Sequence, residues 1–152
     1  MSLLSALNRA GALRTLDHAL ATSLRRLDPS TPDPVLAAAA LASLAVAQGH
    51  AGFDPARPQW LVDADLDWPV PQAWLQALAA SPWVATPDAA ALEAPADVRP
   101  LVLENGLLYL RRYRQYEARL AAQLRRIAAR SLPATGIDAV APLFTILFPQ
   151  AQ

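Results

Sequence analysis

The sequence predicts a mainly α fold, a small helical domain of four or five helices with one β-hairpin packed on it. Three observations lead to this prediction: apolar residues recur at helical spacing, one Ala-rich stretch is almost wholly apolar, and an Asn-Gly dipeptide separates two short apolar runs. A chain of 152 residues suits one domain of ordinary size. At this length, folding hides roughly two thirds of the surface of the unfolded chain, which is enough for a real core.

Leucine spacing predicts the first two helices. Leu3, Leu4 and Leu7 begin the first. After Gly11, leucines recur every three or four residues, which indicates a single buried helix face. The set consists of Leu13, Leu16, Leu20, Leu24 and Leu27. The segment from Asp28 to Pro34 contains three prolines and is expected to end this helix.

A third helix is predicted from about residue 34 to residue 48. Asp33 is the expected N-cap, Pro34 the expected first helical residue and Gly49 the expected stop. The apolar run from Val35 to Ala47 is 13 residues long and mostly Ala. A membrane span needs about 18 strongly apolar residues, so this run predicts a buried helix that neighbours can approach closely.

The remaining elements alternate with loops. Residues 51–71 and 86–100 are expected to be irregular, and a short helix is predicted from Pro71 to Ala80. Asn105-Gly106 tolerates the two positive φ angles of a tight turn, so residues 101–110 predict a two-stranded hairpin. An Arg-rich helix is predicted from about 111 to 131, and the tail beyond it is again amphipathic.

The Arg-rich helix has two distinct faces. Its apolar residues fall within an arc of roughly 80° at 100° per residue, and they are Tyr113, Tyr116, Leu120, Leu124 and Ile127. Seven Arg and one acid lie between Arg111 and Arg130, a local charge of about +6 in a neutral chain. The Arg face is interpreted either as a contact for phosphate or an acidic partner, or as a solvated polar face opposite a core face.

Residue types exclude most catalytic chemistry. The chain has no Cys and no Lys, and its five Gly are scattered, so thiolate chemistry, Lys chemistry and a phosphate-binding glycine loop are not expected. His18 and His50 stand 32 residues apart. The spacing of Asp63, Asp65 and Asp67 resembles a calcium loop but lacks its glycine and distal Glu. We therefore expect no catalytic residue, no cofactor and no metal in this chain.

Several segments, in order, resemble the N-terminal domain of RecD, the alpha chain of exodeoxyribonuclease V in the RecBCD helicase–nuclease. The most specific is Pro100 to Tyr113, continuing to Tyr116-Glu117. The others are Leu13-Arg14-Thr15-Leu16-Asp17, Val35 to Ala39 with Gln48-Gly49-His50, Trp74 to Val84 with Ser81-Pro82, and Leu147-Phe148-Pro149.

The resemblance implies a domain at 1–131 and a linker at 132–152 that leads towards helicase motor domains, so the chain is expected to be an N-terminal fragment. It implies that the full-length protein is an ATP-dependent 5′-to-3′ DNA helicase in double-strand break repair and recombination. ATP, Mg and DNA belong to that full-length complex. The implied partner of this domain is the gamma subunit RecC, with RecB reached through the complex. A cytoplasmic location without membrane contact is expected.

Two functions remain open from the sequence. The first is a protein-docking module that is not itself an enzyme, and the second is direct contact with the DNA backbone through the Arg-rich helix. The candidate partner-binding residues are Tyr109, Arg111, Arg112, Arg114, Arg119 and Arg126. A stand-alone helical enzyme would require a polar pocket with perturbed titratable groups. Phe144, Leu147 and Phe148 are expected to drive self-association if the tail has no packing partner.

Overall fold

The computed structural model describes residues 2–87, 98–130, 140–143 and 146–147. In these ranges five α-helices, further helical residues at 140–143 and 146–147, and a small three-stranded sheet confirm the predicted mainly α class. The helices are α1 (Leu3–Arg9), α2 (Thr15–Leu27), α3 (Asp33–Ala47), α4 (Pro71–Ala79) and α5 (Arg111–Ala128), with a 3-10 turn at Pro58–Trp60. The strands are β1 (Val84–Ala85), β2 (Leu101–Glu104) and β3 (Leu107–Leu110).

Two compact units divide the chain, Met1–Glu117 and Ala118–Gln152. The first holds α1 to α4 and the sheet, and α5 begins in it. The second holds residues 118–128 of α5 and helical residues at 140–143 and 146–147. The predicted domain boundary at 131 stays a prediction.

Helix α3 is the centre of the first unit, as its composition predicts. Eleven of its fifteen residues are buried, from Val35 to Ala45. Helices α1, α2 and α4 and strand β3 all contact it, because the many Ala side chains let neighbouring backbones come close. Trp74 of α4 is anchored to α3 through its indole Nε1, which donates to the carbonyl of Pro34 at 2.8 Å.

The two ends of α3 differ in how well the sequence predicts them. At the C-terminus, Gly49 has φ +86°, and His50 donates its backbone N–H to the Ala45 carbonyl at 2.9 Å. These features form the predicted glycine stop. At the N-terminus, Pro32 is the cap, so the assignment of Asp33 as N-cap is wrong. The carboxylate of Asp33 instead accepts from the backbone N–H of Leu4 and pairs with Arg25 at 3.0 Å.

The predicted leucine face of α2 is confirmed only in part: Leu24 is buried and Leu13 packs against the core, but Leu16 and Leu27 are exposed. Its buried residues are Asp17, Ala21 and Leu24, whereas Leu16 and Leu27 are 67% and 73% exposed. The spacing of Asp17, Ala21 and Leu24 is also helical, and the helix rotates this set towards α3. Tertiary packing therefore selected a narrower face, centred on a small residue and a carboxylate.

Asp17 is fully buried, and its partner is Arg14 at the start of the same helix. The Arg14 guanidinium donates to both carboxylate oxygens, at 2.6 and 2.9 Å, and the Arg14 backbone N–H donates at 3.0 Å. Burial opposes ionisation, but these bonds together with the Ser43 side chain outweigh it and hold the pKa of Asp17 below its ordinary value. Arg14 also reaches the Ser43 carbonyl of α3 at 3.3 Å.

The predicted hairpin is confirmed, both in its position along the chain and in its Asn-Gly turn. Asn105 and Gly106 have φ of +52° and +79°, and β2 and β3 pair antiparallel from Leu101–Leu110 to Glu104–Leu107. Sequence analysis missed β1, which pairs parallel to β2, and the antiparallel bridge of Phe53 to Leu108. A Cβ on Gly52 would lie 2.9 Å from the Leu108 carbonyl oxygen, so a glycine is needed beside this bridge.

Candidate functional site

The start of α5 is fixed to the hairpin by an ion pair. The Arg114 guanidinium donates through Nη2 to Glu104 Oε1 at 2.8 Å and through Nε to the other carboxylate oxygen. Both side chains are less than one-fifth exposed, and the bonds from Arg114 hold the pKa of Glu104 below its usual range despite partial burial. The two-point contact joins the first turn of α5 to the end of β2.

Tyr109 and Arg111 also make contacts within the chain. Burial raises the pKa of the Tyr109 phenol above its ordinary value, and the nearby Glu104 carboxylate adds to the rise. The Arg114 guanidinium carbon lies 5.9 Å from the centre of the Tyr109 ring. The Arg111 backbone N–H donates to the Pro100 carbonyl at 2.8 Å, and its Nε donates to the Arg99 carbonyl. These residues join the helix to the strands.

Helix α5 exposes its apolar arc. None of its 18 residues, all within the described part of the chain, is buried. The five large side chains of the predicted arc are each between 42% and 59% exposed. We call this set the apolar stripe, and it consists of Tyr113, Tyr116, Leu120, Leu124 and Ile127. One of the two interpretations of the sequence made this arc a core face, and the exposure of its side chains contradicts that interpretation. The arc itself is as predicted, but the described residues do not cover it.

Three Arg side chains border the apolar stripe along one edge, which we name the arginine edge: Arg112, Arg119 and Arg126. They are exposed and seven residues apart. At 100° per residue they lie roughly 40° to 80° from the nearest border of the apolar stripe. Arg112 donates through Nε to the Tyr116 hydroxyl at 2.8 Å, and Tyr116 meets Tyr113 edge-on at 6.2 Å. The N-terminal end of the stripe is thereby ordered within the helix.

The six predicted binding residues thus separate into two groups of three. Tyr109, Arg111 and Arg114 lie at the junction of hairpin and helix, where each makes contacts within the chain. The other three form the arginine edge. The structure brings the second group together along one line and places the first group at the base of the helix. Their role in binding stays a prediction.

The first unit has a second exposed feature, at one of the four Trp that the sequence leaves open as either core residues or interface anchors. Trp60 is 73% exposed, and the Arg57 guanidinium carbon lies 3.9 Å from the centre of its ring. Asp54 holds Arg57 from the other side at 2.8 Å. A shallow cleft beside them is lined mostly by apolar atoms, with Phe53 and Leu61 in its walls. The sequence signal for it was an Asp, an Arg and a Trp spaced by three residues.

Neither clustered metal ligands nor an apolar span was found in the described ranges. Among residues 2–87, 98–130, 140–143 and 146–147, no three His, Asp or Glu side chains gather where they could hold a metal ion. Within the same ranges no helix is both long and apolar enough to cross a membrane.

The predicted self-association surface of the tail is only partly described. Phe144 and Phe148 lie outside the described residues. The described apolar residues of the tail are exposed: Val140, Leu143, Ile146 and Leu147.

The described residues include five α-helices and a three-stranded sheet, and two exposed features combine apolar and Arg side chains: the apolar stripe with its arginine edge, and Trp60 with Arg57. Residues 9–109 match the family model described as RecBCD enzyme subunit RecD, N-terminal domain. The chain belongs to this family, as its resemblance predicted. The match runs from the end of α1 into β3, so α5 lies beyond it. No curated protein matches the chain.

Proposed function

We propose that this domain docks the RecD subunit onto its partner subunits in RecBCD, with RecC as the principal partner and RecB reached through the complex. Membership of the RecD N-terminal family supports the assembly. The observation that carries the docking role is the apolar stripe. Five large side chains share one side of a helix that buries none of its residues.

Exposure of this stripe has a physical cost that a partner would remove. Full burial of an exposed large apolar side chain contributes roughly 1.5–3 kcal/mol before the entropic cost of association is subtracted, and the stripe side chains are about half exposed before binding. The residue types also suit an interface, since Tyr and Arg are over-represented among the residues that dominate binding energy. An apolar centre bordered by charged side chains is the usual arrangement of a protein interface.

The rival function, contact with the DNA backbone, has less support. Arg114 is neutralised by Glu104, and the Arg111 Nε is bonded to the Arg99 carbonyl. The chain as a whole has zero formal net charge. Phosphate binding requires cations but no apolar stripe beside them. A salt-dependent affinity for DNA would be its sign.

The activity of the whole protein is part of the same proposal. A RecD subunit would contribute ATP-dependent 5′-to-3′ helicase activity, with Mg and DNA, to double-strand break repair in the cytoplasm. The sequence has no Lys and no glycine-rich phosphate loop, so its residues do not fit an ATP site. We derive no catalytic step within this domain, and its contribution is to hold the subunit in the complex.

Binding to purified RecC tests the docking role. The 152-residue chain should form a complex at micromolar concentration in size exclusion and calorimetry. Replacing Leu120 and Leu124 by Ser should weaken binding by about tenfold or more, because it removes apolar area from the middle of the stripe.

The matched control is the double replacement of Leu16 and Leu27 by Ser, because these leucines are also exposed, at 67% and 73% against 53% and 56% for Leu120 and Leu124, but lie on α2. This control should bind RecC as the unmodified chain does. Failure of the unmodified chain to bind would reject docking. Equal binding by both double variants would reject the apolar stripe as the docking surface.

A further inference from the structure

We propose that the apolar stripe receives an α-helix of the partner protein, and that this helix carries Asp or Glu along the side facing the arginine edge. The inference rests on the proposed docking function and specifies the chemistry of the partner segment. Two observations support it, the period of the stripe and the asymmetry of its borders.

The period of the apolar stripe fits a helix. Tyr113, Leu120 and Ile127 are seven residues apart, with Tyr116 and Leu124 between them. A period of seven with an intermediate apolar position forms a seam against which a second helix packs knobs into holes. The stripe extends over about 21 Å at 1.5 Å per residue, the length of about four helical turns. An extended segment, whose side chains alternate every two residues, does not match this spacing.

The two borders of the stripe differ in charge. One border is the arginine edge, with a cation at each repeat. The other carries Glu117, Ala121 and Ala128, and Arg114 lies about 80° from it with its charge paired to Glu104, so this border holds one carboxylate and no unpaired cation. In paired helices, the residues that border the apolar seam form interhelical ion pairs and determine the partner and its orientation. A continuous row of cations on one border therefore favours a partner helix with a row of carboxylates.

The same asymmetry argues against a second copy of this chain as the occupant. In an antiparallel pair, like borders face one another, so the two arginine edges would repel. In a parallel pair, the arginine edge would face the border that has only Glu117 as an acid. Neither arrangement neutralises three cations. A different protein with an acidic helix does.

Charge reversal on RecC binding tests the inference. Arg119→Glu and Arg126→Glu should each weaken binding roughly tenfold, because each leaves like charges facing across the seam. The matched control is Arg125→Glu, which makes the same charge change about 100° around the helix from Arg126. Arg125→Glu should bind RecC as the unmodified chain does, and circular dichroism should show equal helix content in all three variants.

Salt and hydrogen exchange give independent readouts. Affinity of the unmodified chain for RecC should fall as salt rises, and the double variant Arg119→Glu, Arg126→Glu should lose this dependence. Hydrogen exchange on RecC should show one newly protected helical segment with Asp or Glu at spacings of three, four or seven residues. Protection confined to an extended segment, or to a helix without acids, would overturn the inference.

The outcomes separate the inference from the docking role. If Leu120 and Leu124 are needed for binding but Arg119→Glu and Arg126→Glu behave like Arg125→Glu, docking stands and the acidic helix is rejected. If RecC does not bind the unmodified chain, docking itself is rejected. A dimer of the chain alone that is abolished by the Leu120 and Leu124 replacements would identify a second copy as the occupant and overturn the inference.

Discussion

Asp17 is a charged residue in the core of the first unit, and hydrogen bonds from Arg14 stabilise its buried carboxylate. Because the carboxylate is fully buried, replacing it by Asn leaves an amide facing the Arg14 donors. We expect Asp17→Asn to lower the free energy of unfolding by about 1–3 kcal/mol, the usual effect of breaking hydrogen bonds at a buried group. Urea unfolding at neutral pH measures the loss, with Asp63→Asn, at an exposed carboxylate, as the control.

Because of the Arg14–Asp17 contact, the stability lost in Asp17→Asn should depend on pH. The pKa of Asp17 is lowered in the folded state, so the stability it contributes is present above its unfolded pKa, about 4. That stability is lost as the pH falls through the lower folded pKa. The difference in free energy of unfolding between the unmodified chain and Asp17→Asn should therefore become smaller below about pH 4. A difference that stays constant down to pH 2 would show that charge on Asp17 is not what stabilises the fold.

Among the elements, α3 depends on small side chains because four other elements pack around it. We expect Ala39→Leu to destabilise the protein by about 1–3 kcal/mol, because the added carbons have no space and must displace a neighbour. Ala47→Leu makes the same change at an exposed position of the same helix and should alter stability by less than about 0.5 kcal/mol. Equal thermal unfolding of both variants would contradict the close packing described for α3.

Helices α2 and α5 show where sequence periodicity fails as a guide. Both have an apolar arc at helical spacing; for α2 the sequence predicts that the arc is buried, and for α5 burial of the arc is one of two interpretations. In the structure α2 buries a neighbouring set that includes Asp17, and α5 buries none of its residues. Periodicity locates the helix and its faces, but contacts distant in sequence decide which face enters the core.

At the level of the whole molecule, the balance of charges argues against DNA binding. Thirteen Arg and thirteen acids cancel, and the described structure pairs some of each. We expect fluorescence anisotropy with short single-stranded and duplex DNA to show no binding tighter than the nonspecific range of about 10⁻⁴ to 10⁻⁶ M. Affinity that is tight at low salt and falls steeply with added salt would favour the rival function.

The sequence by itself determined the local features of this protein. The Asn105-Gly106 turn and the stop at Gly49 follow from the φ angles that these residues allow, and the helix positions follow from spacing along one segment. The resemblance of ordered short segments also led to the RecD N-terminal family.

Only the tertiary structure decided what depends on distant partners. It placed Asp17 in the core, paired Val84–Ala85 with β2, bridged Phe53 to Leu108, and left the apolar stripe of α5 exposed. Each of these outcomes depends on which surfaces meet in three dimensions. Local propensity and spacing do not specify which surfaces pack together, because the free energy of burial depends on both surfaces and not on either segment alone.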